Sequence, residues 1–303
     1  MSAPAVHPAE RADTHALVRG RVTLGDFEIA VLTDGYFLLD GGAMFGVVPK
    51  PLWSKRSVPD AENRILMGAN TLVVRDGRRI VVIETGLGGK LDPKARAIYG
   101  SRQLLPASLA AAGIRREDVD VVINTHLHFD HCGWNTTQGE DGTLVPTFPN
   151  ARYYAPRGEV EHGRLQLERD RSSYLAPNYE PLLATGQMTL LDGPGEIVPG
   201  ISVDLYPGHT EQMMGVLLES AGQRGCFISD LIPSTAHLDL TWGMAYDLDP
   251  LMVIEQRKRF YARAIPENWL VFFVHDHHTP FCRIALDARG RPVVRPQETL
   301  SAA

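Results

Sequence analysis

The sequence predicts a layered α/β or α+β protein. Strand-like and helix-like signals interleave along the 303 residues. Two runs, 119–123 (apolar apart from Asp120) and 269–274 (apolar throughout), have the character of buried central strands. No low-complexity linker or short-period repeat divides the chain, so residues 21–303 are expected to form one domain behind an N-terminal arm, 1–20.

Taken in order, the first twenty residues alternate Ala and Pro with His7, Glu10, Arg11 and Asp13 and hold no apolar segment. They read as an arm and not as a secretory signal. Residues 22–32 read as a strand closed by Thr33-Asp34-Gly35. Residues 41–59 carry Gly, Pro, Phe45 and Trp53 without a clear period, as in a long loop of the kind that serves as a lid. Residues 69–74 and 79–83 flank Asp76-Gly77, a hairpin signal, and Glu84-Thr85-Gly86 follows. Leu105, Leu109 and Ala112 share one face of a short helix that stops at Gly113. The run 119–123 leads straight into His126. Further strands are expected at 201–206, 216–219 and 226–229. Asp249 as N-cap and Pro250 at the first helical position open a longer helix. On it Leu251, Ile254, Tyr261 and Ala264 share a face, Glu255 and Arg259 form an i,i+4 pair, and Arg257-Lys258-Arg259 lie in solvent. The run 269–274 leads into His275.

Composition excludes several classes. Apolar residues make up 44% and charged residues 22%, which is ordinary for a folded soluble protein and argues against disorder. There are 30 basic and 36 acidic side chains, a net charge of −6, so nucleic acid is not an expected partner. No apolar run approaches a membrane span. Cys132, Cys226 and Cys282 form neither a zinc ribbon nor an even disulfide framework, consistent with a reduced, cytoplasmic protein.

The chemistry lies in the histidines. Thr125-His126-Leu127-His128-Phe129-Asp130-His131 places four candidate ligands within six residues at the end of a buried strand. On an extended segment residues i and i+2 point the same way, so His126 and His128 can grip one ion. A turn after them displaces Asp130 and His131 toward a second position. Imidazole with carboxylate is a ligand set suited to zinc, and also to iron, cobalt or manganese. His209, Asp230 and His275 each follow a strand-like run, and strand ends on one edge of a sheet converge in space. His277 and His278 compete with His275 for the same role, but His275 fits the strand-end pattern best. His162 reads as a surface residue or one that supports the ligands.

Taken together, His126-x-His128-x-Asp130-His131 with His209, Asp230 and His275 resembles the metallo-β-lactamase superfamily over about two thirds of the chain. The resemblance implies a four-layer αββα sandwich. It implies that His126, His128 and His209 hold one divalent metal, that Asp130, His131 and His275 hold another, and that Asp230 bridges both. Glu84-Thr85-Gly86 is similar to the family's strand-end Asp-Thr-Gly, with Glu in place of Asp. Two cations about 3.5–4 Å apart share a water and bring its pKa toward about 7, giving an attacking hydroxide. By resemblance, Asp130 carries a proton to the leaving group.

Within the superfamily, 128–135 and 230–234 resemble methyl parathion hydrolases and their aryl-lactonase relatives. The resemblance therefore implies hydrolysis of lactones or aryl esters with promiscuous phosphotriester cleavage. Three alternatives are a dedicated phosphotriesterase, an N-acyl-homoserine lactonase and, in another class, a non-catalytic metal-binding protein. N-acyl-homoserine lactonases of this fold often have tyrosine three residues after the bridging aspartate, where this chain has Pro233. The expected substrate is small and hydrophobic: a lactone, an ester or an organophosphate. Phe45, Trp53, Phe129, Trp134, His237, Trp242 and Met244 are the candidates to contact it, against the alternative that most are core. Homodimers are common among such relatives, and by that analogy residues 41–59 are a candidate dimer contact.

Overall fold

The computed structural model describes residues 16–295. Residues 1–15 of the expected arm, and 296–303 of the expected domain, lie outside the described residues. The three residues 18–20, assigned to the arm, are instead the start of β1 (Val18–Leu24).

Alternation builds the sandwich. β1 turns at Gly25-Asp26 into β2 (Phe27–Asp40), with Leu24 paired to Phe27. The single strand expected over 22–32 is thus a hairpin. Gly25 sits at φ 58°, a left-handed turn value that glycine adopts without steric cost. Thr33-Asp34-Gly35 does not end β2: the register with β3 (Arg64–Arg75) shifts between Thr33 and Tyr36, and the strand continues. The rest of this sheet is β4 (Ile80–Ile83), β5 (Val121–Ile123) and, beyond a small hairpin of β6 (Thr136–Gln138) with β7 (Leu144–Pro146), β8 (Arg152–Pro156) and β9 (Met188–Leu191). Its order is β1-β2-β3-β4-β5-β8-β9, with β4, β5, β8 and β9 mutually parallel.

A second seven-stranded sheet runs in sequence order among the described residues. It contains β10 (Gly195–Val198), β11 (Ile201–Leu205), β12 (Met214–Ser220), β13 (Gln223–Phe227), β14 (Leu270–Phe272), β15 (Phe281–Leu286) and β16 (Pro292–Val294). β13 and β14 are parallel, and β11 points the same way, being separated from β13 by the antiparallel β12.

The four layers follow from which face each residue takes. Ile29, Val31, Val81 and Ile83 face inward and pack on Val203, Val216, Phe227 and Phe272 of the second sheet. Ala30, Leu32 and Val82, one residue out of phase, join an outer cluster with Leu105, Leu109 and Leu182. Val271 and Cys226 face the other outside, against Val253 and Phe260. The helices are α1 (Gly41–Phe45), α2 (Lys50–Trp53), α3 (Pro93–Tyr99), α4 (Leu105–Ala111), α5 (Phe129–Cys132), α6 (Arg157–Leu165), α7 (Glu180–Ala184) and α8 (Pro250–Ala264). The architecture is the expected αββα sandwich. No helix among the described residues is long and apolar enough to cross a membrane.

Three expectations change here. Residues 41–59 contain α1 and α2 instead of a structureless loop. Asp40 caps α1, accepting from Ala43 N–H at 2.8 Å. On α8 the N-cap is as expected, Asp249 accepting from Met252 N–H at 2.9 Å, but the buried face is not. Val253, Arg257, Phe260, Tyr261 and Ala264 are buried, whereas Leu251 is 76% exposed. The true stripe was hidden because one of its members is an arginine. Nor does Glu255 pair with Arg259: its carboxylate lies 2.7 Å from Lys258 Nζ, and Arg259 turns to the Leu205 carbonyl and Asp204.

Candidate metal centre

One edge of the sandwich collects the C-terminal ends of β4, β5, β11, β13 and β14. Glu84, His126, His209, Asp230 and His275 follow them. Main-chain links sew the sheets together at this edge: Met214 N–H donates to the Thr125 carbonyl, Gly68 N–H to the His275 carbonyl and Asn70 N–H to the Val274 carbonyl, each at 2.9 Å.

The structure brings all seven sequence-designated side chains together. Asp230 Oδ2 lies 3.2 Å from His209 Nε2, 3.4 Å from His131 Nε2 and 4.0 Å from His126 Nε2. Its other oxygen lies 3.2 Å from His275 Nε2. Asp130 Oδ2 is 3.6 Å from His275 Nε2 and 3.8 Å from His131 Nε2. Two groupings have the spacing to hold a cation: His126, His128 and His209, and Asp130, His131 and His275. A third, Glu84, His126 and His131, shares one residue with each. His277 and His278 pack on each other instead, with ring centroids 4.0 Å apart.

A dense cluster of buried imidazoles is costly unless something else occupies its lone pairs. Among the described residues, His126 Nε2, His128 Nε2, both ring nitrogens of His131 and Asp230 Oδ1 are buried without a hydrogen-bond partner. These nitrogen and oxygen donors suit a borderline divalent cation. Burial, reinforced by the neighbouring imidazoles, holds His126 and His128 well below the ordinary histidine range, so they keep lone pairs for coordination. Burial works against ionised Asp230, yet His275, His131 and His209 hold its carboxyl well below the usual range.

Surrounding groups aim the ligands. His275 Nδ1–H donates to the Gly68 carbonyl at 2.8 Å and His209 Nδ1–H to Asp247 at 3.1 Å, which leaves each Nε2 facing the cluster. Glu84, standing where the family has Asp, accepts from Thr125 N–H at 2.9 Å and from the Thr125 hydroxyl, and its second oxygen is 3.7 Å from His131 Nδ1. Glu84 (φ 63°) and Ser229 (φ 51°) both sit in the left-handed region, costing of order 1–3 kcal/mol each, at the two strand ends that feed the site. Asp34, expected in a turn, is a buried hub beneath it. Its carboxylate accepts from Leu87, Gly88 and Leu105 N–H and from Trp134 Nε1–H. Burial nevertheless pushes it up to about 6. Asp34 and Asp247 were not recognised as supports, because a lone carboxylate in a turn carries no local signal.

A cleft of about 820 Å³, its open mouth included, lies over the cluster. His128, Asp130, His209, Asp230 and His275 form its floor. Of the substrate candidates, Phe129 and Met244 line it. Phe45, Trp53, Trp134, His237 and Trp242 are not among the described residues lining it. Phe45 is instead sandwiched between Trp53 (5.4 Å) and His237 (4.7 Å), with Trp242 edge-on at 5.7 Å, so these four form one stack behind the wall. Trp134 turns away to hydrogen-bond Asp34 at 2.8 Å. The cleft's phenols are Tyr99 and Tyr246, which the sequence did not single out. Pro233 holds the floor from below, its carbonyl accepting from His275 N–H at 2.9 Å.

His237 joins the stack to the wall. Nε2–H donates to the Met44 carbonyl and Nδ1 accepts from the Ser234 hydroxyl, both at 2.8 Å. Burial lowers its pKa from 6.5 to about 4. The unfolded chain takes up this proton first. The stability His237 contributes is therefore present above pH 6.5 and lost as pH falls toward 4, about 3 kcal/mol in all. His237→Gln can keep a donor and an acceptor but cannot titrate. Its melting temperature is expected to fall less than that of the wild type between those pH values; parallel pH profiles would refute this.

Comparisons agree with the geometry. A family model described as the metallo-beta-lactamase superfamily matches residues 64–275. An N-acyl homoserine lactonase of Bacillus cereus is 26% identical over 169 residues, 55% of this chain and 60% of that protein. N-acyl homoserine lactonase AiiA of Bacillus thuringiensis subsp. kurstaki is 25% identical over 180 residues, 58% of this chain and 64% of that protein. The chain thus spans under two thirds of the length of these curated relatives. A probable metal-dependent hydrolase from Staphylococcus aureus superposes with a TM-score of 0.83 at 29% identity, covering 92% of this chain and 100% of that one. AidC, a dizinc quorum-quenching lactonase in complex with a product, superposes with a TM-score of 0.76 at 21% identity, covering 94% and 99%.

Proposed function

This chain belongs to the metallo-β-lactamase superfamily and is a metal-dependent hydrolase, and on that premise we propose that it opens lactone rings at a centre of two divalent cations. The observation that carries the reading is the set of buried, unpartnered ligand atoms on the floor of a cleft. The lactonases among its sequence relatives support the choice of substrate class.

In this reading His126, His128 and His209 hold one cation, Asp130, His131 and His275 the other, and Asp230 is shared; zinc is the metal that the ligand set favours. When bound, two such ions lower the pKa of water and polarise a substrate carbonyl. The chain's own residues do the rest. Asp247 and the Gly68 carbonyl fix two imidazoles in the ligating tautomer. Phe129, Met44 and Met244 form part of the wall that limits water around the ester bond. Asp130, the half-buried carboxyl of the floor, in this reading takes the proton released as water attacks and hands it to the departing alkoxide.

The test is metal removal combined with a substrate panel. Chelated protein is expected to lose hydrolysis of an N-acyl homoserine lactone and a γ-alkyl lactone, and to regain it as zinc is restored to two ions per chain. Full activity after exhaustive metal removal would overturn the proposal. So would a kcat/KM for an aryl phosphotriester above that for every lactone tested.

A further inference from the structure

Glu159, in the first turn of α6, is a buried carboxylate outside the ligand cluster, only 1% exposed. Burying a carboxylate is costly unless donors meet it. Here both oxygens are taken by neutral donors. Oε2 accepts from Leu127 N–H at 3.2 Å and from the Tyr174 hydroxyl at 2.9 Å, and Oε1 accepts from the Thr210 hydroxyl at 2.5 Å.

Those three donors share one property. Leu127 lies between His126 and His128, and Thr210 follows His209. Tyr174 packs edge-on against His128, with ring centroids 4.9 Å apart. The ligands of the three-histidine grouping therefore sit on, or against, segments that Glu159 ties to one point. None of these three bonds goes to a residue next to Asp130, His131 or His275. His128 depends on this tie most. Asp247 aims His209, and the Thr125 hydroxyl lies 3.0 Å from His126 Nδ1. The His128 ring has no such support among the described residues: its Nδ1 faces His209 Nε2 at 3.2 Å and its Nε2 is unpartnered. Contact with Tyr174 orients that ring, and Glu159 anchors the Tyr174 hydroxyl.

We propose that Glu159 is the positioning residue of the three-histidine cation site, holding His126, His128 and His209 at ligating separation while leaving the Asp130, His131 and His275 side to other supports. This rests on the two-cation reading above and assigns one of its halves a dedicated anchor. Glu159 touches neither cation nor substrate in this scheme. It acts through Leu127, Thr210 and Tyr174.

The experiment titrates metal-free protein with zinc against a chelating dye, resolving two dissociation constants, for wild type, Glu159→Leu, Glu159→Gln, Tyr174→Phe and Thr210→Val. Glu159→Leu is expected to weaken one zinc by about 10–100-fold and to leave the other near wild type. Glutamine can accept from Leu127 and Tyr174 through its oxygen and donate to the Thr210 hydroxyl through its amide, so Glu159→Gln is expected to keep both constants close to wild type. Tyr174→Phe and Thr210→Val each remove one tie and are expected to show smaller losses in the same constant as Glu159→Leu. Loaded with cobalt, Glu159→Leu is expected to share the visible spectrum of His209→Ala and not that of His275→Ala. Equal weakening of both cations, or of neither, would overturn the proposal, as would the His275→Ala spectrum. Loss in Glu159→Gln as severe as in Glu159→Leu would overturn it too, because charge and not geometry would then be the contribution. If Glu159→Leu does not fold, Tyr174→Phe and Thr210→Val decide, and no selective loss in either refutes the anchor. A wild type that binds fewer than two zinc ions refutes the two-cation reading itself, and this assignment falls with it.

Discussion

Asp230→Ala is expected to lower lactone hydrolysis by more than about a hundredfold and to take bound metal well below two ions per chain. Substituting a group that merely orients a ligand costs about 10–100-fold in metal affinity or activity, and removing a shared ligand costs more. Asp230 reaches both halves of the cluster with its two oxygens, Oδ2 toward His126, His131 and His209 and Oδ1 toward His275. It is also the charge around which five buried imidazoles assemble. Asp230→Asn keeps the volume and loses the charge, so it is expected to fail nearly as badly. Elemental analysis alongside kcat separates loss of metal from loss of chemistry. A variant that keeps two metals and wild-type kcat would show that the ligand assignment is wrong.

Arg257→Met is expected to be the most destabilising substitution far from the metal ligands. Arg257 is wholly buried, and no carboxylate pairs with it among its hydrogen bonds. It donates instead to four main-chain carbonyls: Leu231 at 2.7 Å, His237 at 3.1 Å, Asp239 at 3.2 Å and Trp242 at 3.0 Å. These acceptors lie along the segment that starts at Asp230 and ends at the Met244 wall of the cleft. Methionine fills part of the space and satisfies none of them. An unsatisfied buried carbonyl costs about 1–3 kcal/mol, and partial relaxation of the segment leaves a net loss of about 3–5 kcal/mol. For a domain of this size that is a fall of roughly 10 °C in melting temperature. Because the same segment shapes the cleft, KM is expected to rise as well. A melting temperature within about 2 °C of wild type would refute the clamp, since even one lost carbonyl bond exceeds that.

Arg257 also shows where sequence reasoning stops. Beside Lys258 and Arg259 it looks like part of a solvated face. Nothing in the local pattern distinguishes it, because the groups that receive its hydrogen bonds are backbone carbonyls of the preceding segment, 15 to 26 residues away, and every residue has one. The same holds for Asp34 and Asp247: a buried carboxylate that collects N–H groups has the same local signature as one that starts a turn. The aromatic candidates failed for a related reason. Phe45, Trp53, His237 and Trp242 do belong together, but they stack on one another behind the wall. Composition identifies large side chains without saying which way they point.

The convergence of the seven side chains was legible because its rules are local. Alternation along an extended strand puts His126 and His128 on one side, and an apolar run before His126 and before His275 marks a strand whose end must emerge at a sheet edge. Those regularities, carried by residues 126–131, 209, 230 and 275, determined the fold family and the class of chemistry. Only the folded chain decided the shape of the cleft and the supports beneath the site. Each depends on contacts between segments well separated in the chain or on the direction of a side chain, and neither is encoded in spacing along the chain.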